Sequence, residues 1–130
     1  MTVGDNSEYA DLDVLAHAAQ RGECTIEYFV TAFLGRTVFM PSSTNPAQVM
    51  TPVMTDVQGQ PYLVVATCAE AMANLRDVAK FAVNLAGAQV ISGARTDMGI
   101  MIRLREGSFT LAPELINQLR KSFNLPARPD

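Results

Sequence analysis

The residues best able to do chemistry in this sequence are one histidine and two cysteines. His17 lies between Ala16 and Ala18 in a predicted helix, so a catalytic triad or a metal site would need partners from distant parts of the chain. We therefore interpret His17 as a packing or surface residue. Cys24 and Cys68 stand far apart in the sequence, which fits reduced thiols better than a disulfide framework or a zinc site.

Cys68 carries the sharper chemical hypothesis, because it follows a predicted strand and falls in the first turn of a predicted helix. A helix N-terminus lowers the pKa of a thiol and can make it reactive. The alternative is a small apolar residue buried under the helix start. Thr67 and Glu70 have the spacing of a capping box, and Gly87 begins another helix after another strand. Ligands gather at such strand ends in open α/β sheets, so these four residues are the predicted ligand-binding set.

The common catalytic and nucleotide-binding motifs are absent from the sequence. Gly87 and Gly93 bracket a short segment, but Ala94-Arg95 stand where a phosphate loop needs Lys followed by Ser or Thr. Asp56 and Asp97 lie in a predicted turn and a predicted loop, and nothing brings them together for acid–base catalysis. The sequence thus predicts no catalytic residue, no metal and no cofactor, and it favours a binding protein over an enzyme.

Composition limits the class of protein further. The chain has 130 residues, of which 48% are hydrophobic and 18% charged, which is typical of one globular domain. Its 10 basic and 13 acidic residues give a net charge of −3, and the scattered cations predict no nucleic-acid binding. The polar N-terminus predicts no signal peptide, and no apolar stretch approaches the roughly 18 residues of a membrane span. We expect a soluble, cytoplasmic protein.

Hydrophobic periodicity predicts the elements that hold these residues. Apolar spacing indicates a helical pair over Glu8–Arg21 and Ile26–Leu34, separated by Gly22. The pattern then predicts three strands, over Thr37–Met40, Val49–Thr55 and Tyr62–Ala66, and a helix from Thr67 onward. A strand over Phe81–Ala86 and a helix over Gly87–Ala94 follow. Two strands, from Ile100 onward and from Phe109 onward, and a helix from Pro113 onward come last. The predicted order is ααβββαβαββα. This is an α/β class with α+β character: a mixed sheet of about five to six strands with helices packed on its faces.

Turn residues set the details of this arrangement. Asp56-Val57-Gln58-Gly59 is typical of a hairpin turn with a bulge, in which Asp56 opens the turn. Pro52 cannot donate a ladder hydrogen bond, so its strand lies at a sheet edge or begins there. We assign residues 8–123 to a single domain and residues 1–7 and 124–130 to flexible tails. The seven methionines are dispersed, and Met40, Met50, Met54 and Met72 are interpreted as core residues rather than as a promiscuous binding surface.

Two stretches resemble the N-terminal domain of the bacterial SseB-like family. The first is FLGRTVFMP over 33–41, and the second is PVMTDVQGQPYLVVATCAEAM over 52–72. The second contains the family's hairpin pattern T-D-x-x-G-x-P as Thr55, Asp56, Gly59 and Pro61. The likeness continues through the strand 81–85, the helix led by Gly87, the strand 99–102 and the closing segment 111–116, so it covers about Leu12–Leu119.

The resemblance implies a bacterial α/β domain and supplies no established biochemical activity. Two departures concern positions that could hold a ligand in relatives. The family's Phe-Thr-Ser is Ala66-Thr67-Cys68 here, and its Asn-Pro-Gly turn is Arg105-Glu106-Gly107.

Two functions follow as hypotheses. The first is a non-enzymatic binding or interaction module, with a protein partner or a second copy of the chain, which would make a homodimer. The second is a small-molecule sensor or enzyme with a site at the strand-to-helix turns around Thr67-Cys68 and Gly87.

Overall fold

The computed structural model describes residues 12–45, 47–49, 51–73, 75, 77, 79–94 and 97–125. Its helices are α1 (Leu12–Gln20), α2 (Ile26–Leu34), α3 (Ala69–Ala73), α4 (Gly87–Gly93) and α5 (Pro113–Ser122). Its strands are β1 (Thr37–Ser42), β2 (Met54–Val57), β3 (Gln60–Ala66), β4 (Phe81–Ala86), β5 (Gly99–Arg103) and β6 (Ser108–Leu111). The predicted order of helices and strands is confirmed.

The strands form one mixed sheet, as predicted. It has six strands in the order β4-β1-β3-β5-β6, and β2 lies beside β3. β3 and β5 run parallel, while every other pair is antiparallel. A parallel pair needs a crossover connection, and here the segment that contains α3, β4 and α4 supplies it.

β1 and β2 divide one side of β3 between them. β1 pairs with the end of β3 and β2 with its beginning. Ser42 and Pro52 face each other where β1 meets the approach to β2, and the Val53 amide donates to the Pro41 carbonyl beside them at 3.1 Å. That flanking bond shows that Ser42 and Pro52 are a non-hydrogen-bonded pair of the antiparallel ladder. The ladder therefore needs no N–H from Pro52. The strand begins at Met54, soon after Pro52, although the pattern predicted it from Val49.

The hairpin between β2 and β3 turns through two residues. Gln58 and Gly59 both have left-handed φ values, 53° and 84°, and Val57 pairs with Gln60. Two consecutive left-handed residues match the twist of the flanking strands and close a hairpin without a bulge. Asp56 therefore lies in β2, opposite Pro61, and the prediction that Asp56 opens a bulged turn is wrong.

The first and last helices, α1 and α5, are both followed by a residue with a left-handed backbone conformation. Gly22, at φ 78°, follows α1, and the Glu23 amide donates to the Ala18 carbonyl at 2.8 Å, which confirms the predicted left-handed glycine. After α5, Asn124 has φ 55° and the Leu125 amide donates back across the last turn. Leu125 also packs against the core. The folded part therefore reaches Leu125, two residues into the tail assigned from the sequence, while 1–7 and 126–130 lie outside the described residues.

The core lies between one face of the sheet and helices α1, α2, α4 and α5. We call this the helical face. Alternate residues of the strands point into it and meet the buried stripes of the helices; its members include Val38, Leu63, Val65, Ile100, Ile102, Phe109, Leu12, Phe29, Phe33, Ile91, Ile116 and Leu119. The opposite face carries α3, which contacts β1 and β3. Val64, Ala66 and Ala71 are buried there.

Candidate functional site

The structure brings Thr67 and Glu70 into one polar cluster, which also contains Asp13 and Arg105. The Thr67 hydroxyl donates to Asp13 Oδ1 at 2.7 Å, and the Arg105 Nε donates to Glu70 Oε1 at 3.2 Å. α3 begins at Ala69, so Thr67 lies one residue too early to cap it. The capping-box interpretation is therefore wrong, because both side chains bind partners from distant elements instead.

Asp13 is the centre of this cluster. Asp13 is only 5% exposed, although it lies in the first turn of α1. Besides the Thr67 hydroxyl, it accepts the Arg105 backbone amide at Oδ2, at 2.6 Å, and the Arg105 guanidinium Nη1 lies 4.0 Å from the same oxygen. A buried carboxylate is tolerated only with such donors around it. The main role of Asp13 is thus to bind α1 to the ends of β3 and β5.

A polar cleft of about 430 Å³ opens over this cluster; it is lined by Asp13, Val14, His17, Glu70, Arg105 and Glu106. His17 therefore lies near the predicted residues Thr67 and Glu70, which sequence spacing did not indicate. The cleft holds three carboxylates and one guanidinium. The Arg105–Glu70 pair lies at the surface, with the side chains 40% and 76% exposed, so it adds little to stability.

Cys68 lies between Thr67 and the start of α3. It is half-buried, and its Sγ is 3.8 Å from the Thr67 hydroxyl. Cys24 is also half-buried, with its Sγ 3.8 Å from the Leu15 carbonyl. Both thiols are free, as expected for reduced cysteines. α3 has only five residues, so the dipole that it could apply to Cys68 is weak.

Gly87 stands apart from the polar cleft. It is buried at the first position of α4, and a Cβ placed on it would lie 2.7 Å from the Phe33 carbonyl carbon and closer still to the oxygen. No side chain fits in that space, so the close approach of α2 explains this glycine as a packing residue. Gly87 does not line the polar cleft, and the ends of β3 and β4, which carry Thr67 and Gly87, lie on either side of β1.

The other two acidic candidates lie on segments that flank the start of β3. Asp56 is exposed in β2, and Asp97 is exposed shortly before β5. The Asp97 backbone carbonyl accepts the Gln60 side-chain amide at 2.6 Å, which ties this approach to the start of β3.

Sequence reasoning missed an apolar cavity between α4 and the sheet. It has a volume of about 590 Å³ and is lined by Met40, Pro52, Met54, Pro61, Leu63, Leu85, Gln89, Val90, Gly93, Ala94, Asp97 and Met98. These residues come from β1, β2 and the segment before it, β3, β4, α4 and the segment between α4 and β5. The methionines could have drawn attention, because Met is common at adaptable binding surfaces, but their dispersal along the chain hides their proximity.

A second hollow lies on the α3 side of the sheet, beside β4. We call it the α3 hollow; it has a volume of about 590 Å³ and is lined by Phe39, Ala69, Met72, Ala73, Ala79, Lys80, Phe81 and Ala82. Phe81 is 39% exposed, and Ala82 and Asn84 are exposed as well. An apolar hollow thus adjoins an exposed strand.

Arg120 has a structural role that the sequence did not indicate. The sequence places it at the C-terminal end of α5, where cations are favoured, but the residue is only 4% exposed. Its guanidinium donates to the Ile91 carbonyl from Nε and Nη2, at 3.1 and 2.7 Å, and to the Ala94 carbonyl. Arg120 therefore caps the C-terminal end of α4 from a neighbouring helix.

Within the described ranges, no group of three or more His, Cys, Asp or Glu residues is placed to hold a metal ion. Over the same part of the chain, none of the helices has the length and apolar character that crossing a membrane requires. Comparisons with protein-family models, with curated proteins and with solved structures find no match.

Proposed function

We propose that this domain is a non-enzymatic interaction module that associates with a second copy of itself through the free edge of β4. The observation that carries the proposal is the state of this edge. β4 is six residues long and, among the described strands, pairs only with β1. Its residues, Phe81–Ala86, include no charge, no proline and no glycine. Proteins usually prevent edge-to-edge pairing with charges or prolines on the edge strand, and β4 lacks both.

The other strand edges are better protected. β6 has four residues, and the Gln20 side-chain amide donates to the outward Ser108 carbonyl at 3.0 Å. β2 also has four residues, carries the exposed charge of Asp56 and follows Pro52 closely. Short strands, charges, prolines and covering side chains all disfavour added strands. Among the described strands, β4 is therefore the one best suited to accept another.

The register identifies the backbone groups that would pair. The Gly87 amide donates to the Arg36 carbonyl at 2.9 Å, and Thr37 pairs with Ala86. With the alternation of an antiparallel ladder, the N–H and C=O groups of Ala82 and Asn84 then point away from β1. A second β4 strand would meet these groups, and its apolar side chains would lie beside the α3 hollow.

The resemblance to the SseB-like family belongs to the same proposal. We regard the chain as a divergent bacterial member, since the element order matches the pattern on which the resemblance rests. A cytoplasmic location is supported by the free cysteines. The net charge of −3 supports a protein partner rather than a nucleic acid.

The alternative, a small-molecule site at the turns around Thr67-Cys68 and Gly87, has less support. The Thr67 hydroxyl already donates to Asp13, and the space at Gly87 is filled by Phe33. Groups that are used in holding the fold together have little capacity left for a ligand.

The test is a matched pair of proline substitutions at the two ends of the sheet. Asn84→Pro removes an N–H of β4 that points away from β1, and Thr110→Pro removes an N–H of β6 that points away from β5. The outward direction at Thr110 follows from the hydrogen bond between the Leu104 amide and the Gly107 carbonyl and from the register of β5 and β6. Sedimentation and light scattering across a concentration series should give a dimer for the native chain and for Thr110→Pro, and a monomer for Asn84→Pro. A native chain that stays monomeric, or an Asn84→Pro variant that still dimerises, would refute the proposal.

A further inference from the structure

The apolar cavity is the feature that the self-association proposal leaves unexplained. Its floor is the helical face of the sheet, where Met40, Leu63 and Leu85 line it. Val90 of α4 and Ala94, just after α4, cover it. A volume of about 590 Å³ lies within the range of roughly 300–1,000 Å³ that small-molecule sites occupy. It is lined from several elements of the fold, so it is a cavity of the folded domain and not a groove along one helix.

The chemistry of the walls selects the class of occupant. Nine of the twelve described lining residues are Met, Pro, Leu, Val or Ala, and water gains few hydrogen bonds against such walls. None of the described lining residues is Lys, Arg or His, while Asp97 contributes a carboxylate. An anionic ligand would therefore lose hydration without meeting a positive partner among these described residues.

We propose that this cavity is a binding site for a neutral, apolar small molecule. Met40 and Met98 are each 8% exposed, and Met54 at the rim is 43% exposed. Flexible thioether side chains can rearrange around ligands of different shape. The site lies away from the polar cleft and from the turns that the sequence indicated, and the proposal does not depend on self-association.

Two dyes with the same ring system test the class of ligand. N-phenyl-1-naphthylamine is neutral at pH 7, and 8-anilino-1-naphthalenesulfonate is the same ring system with a sulfonate. Fluorescence titration of the full chain should give an affinity for the neutral dye roughly tenfold or more above that for the anionic dye. Equal affinities, or tighter binding of the sulfonate, would refute the neutral class. No binding of the neutral dye would refute the site itself.

Two substitutions locate the dye in the cavity. Gly93 lines it, and a Cβ there meets nothing within 4 Å, so Gly93→Leu adds volume without a backbone clash. Gly35 has the same open surroundings and does not line the cavity, which makes Gly35→Leu the matched control. Met54→Glu places a charge at the exposed rim, and its effect does not depend on how the side chain introduced by Gly93→Leu is oriented.

We expect Gly93→Leu and Met54→Glu each to weaken binding of the neutral dye by roughly tenfold, and Gly35→Leu to change it by less than about twofold. Thermal unfolding of each variant shows whether it is folded. If both cavity variants are folded and bind the dye like the native chain, the dye lies elsewhere and the assignment of the site is refuted.

Discussion

At the scale of single residues, the close contact at Gly87 accounts for a residue that the sequence marked for another reason. Its position after a strand suggested a ligand site, whereas the structure shows that the Phe33 carbonyl occupies the space of a side chain. Local sequence could not reveal this, because the two residues are brought together only by the packing of α4 on α2.

Gly87→Ala should destabilise the fold, because a Cβ that overlaps the Phe33 carbonyl forces α4 away from α2. We expect a loss of about 2 kcal/mol or more in the free energy of unfolding. The matched change Gly35→Ala places its Cβ in open space and should alter stability by less than about 1 kcal/mol. Urea unfolding followed by circular dichroism measures both. Equal stability of the two variants would contradict the packing role of Gly87.

Arg120 has a comparable hidden role. Arg120 lies near the C-terminal end of α5, where a cation is favoured by its own helix, but its guanidinium donates to carbonyls at the end of α4. The last carbonyls of a helix need donors when they are buried. The sequence pattern therefore gave the residue's position in α5 and missed the helix that it serves.

Arg120→Met keeps much of the buried aliphatic volume and removes the guanidinium donors to the Ile91 and Ala94 carbonyls. We expect a loss of about 2–4 kcal/mol in the free energy of unfolding, since buried carbonyls lose these charged donors. Lys121→Met, at the exposed neighbouring position, should change stability by less than about 0.5 kcal/mol. Chemical denaturation of both variants is the measurement, and an Arg120→Met midpoint that matches the control would disprove the capping role.

At the scale of elements, periodicity sufficed where each element follows one regular pattern. β4 has the predicted bounds, Phe81–Ala86, and the helices α2 and α4 lie within about one residue of their predicted ends. One large shift is in β2, which was predicted over 49–55 and begins at Met54. The segment before it pairs with β1 through a single bridge at Pro52, a tertiary arrangement that alternation along the chain does not encode.

The candidate sites were harder to predict than the elements for the same reason. The polar cleft joins Asp13 to Arg105 across 92 positions of sequence, and the apolar cavity collects its walls from six segments. Thr67 and Glu70 were found from their place after a strand, and the structure brings both to one cluster. Their partners are visible only once the sheet order is known.

At the scale of the whole molecule, Asp13 joins the helical layer to the end of the sheet. One carboxylate oxygen accepts from Thr67 after β3, and the other accepts from the Arg105 amide after β5. Because these contacts span the parallel pair at the centre of the sheet, their loss should weaken the fold as a unit.

Asp13→Asn tests this connection with little change of shape. An amide retains one acceptor oxygen and presents an NH₂ group to the second donor, so one of the two hydrogen bonds is replaced by a clash of donors. We expect a loss of about 1–3 kcal/mol in the free energy of unfolding. Asp56→Asn, at an exposed position of β2, is the control and should stay within about 0.5 kcal/mol of the native chain. Because Asp13 joins α1 to the strand ends, unfolding followed by circular dichroism and hydrogen exchange at the β3 and β5 amides should report the same loss of stability. An Asp13→Asn variant as stable as Asp56→Asn would show that α1 docks without the Asp13 hydrogen bonds.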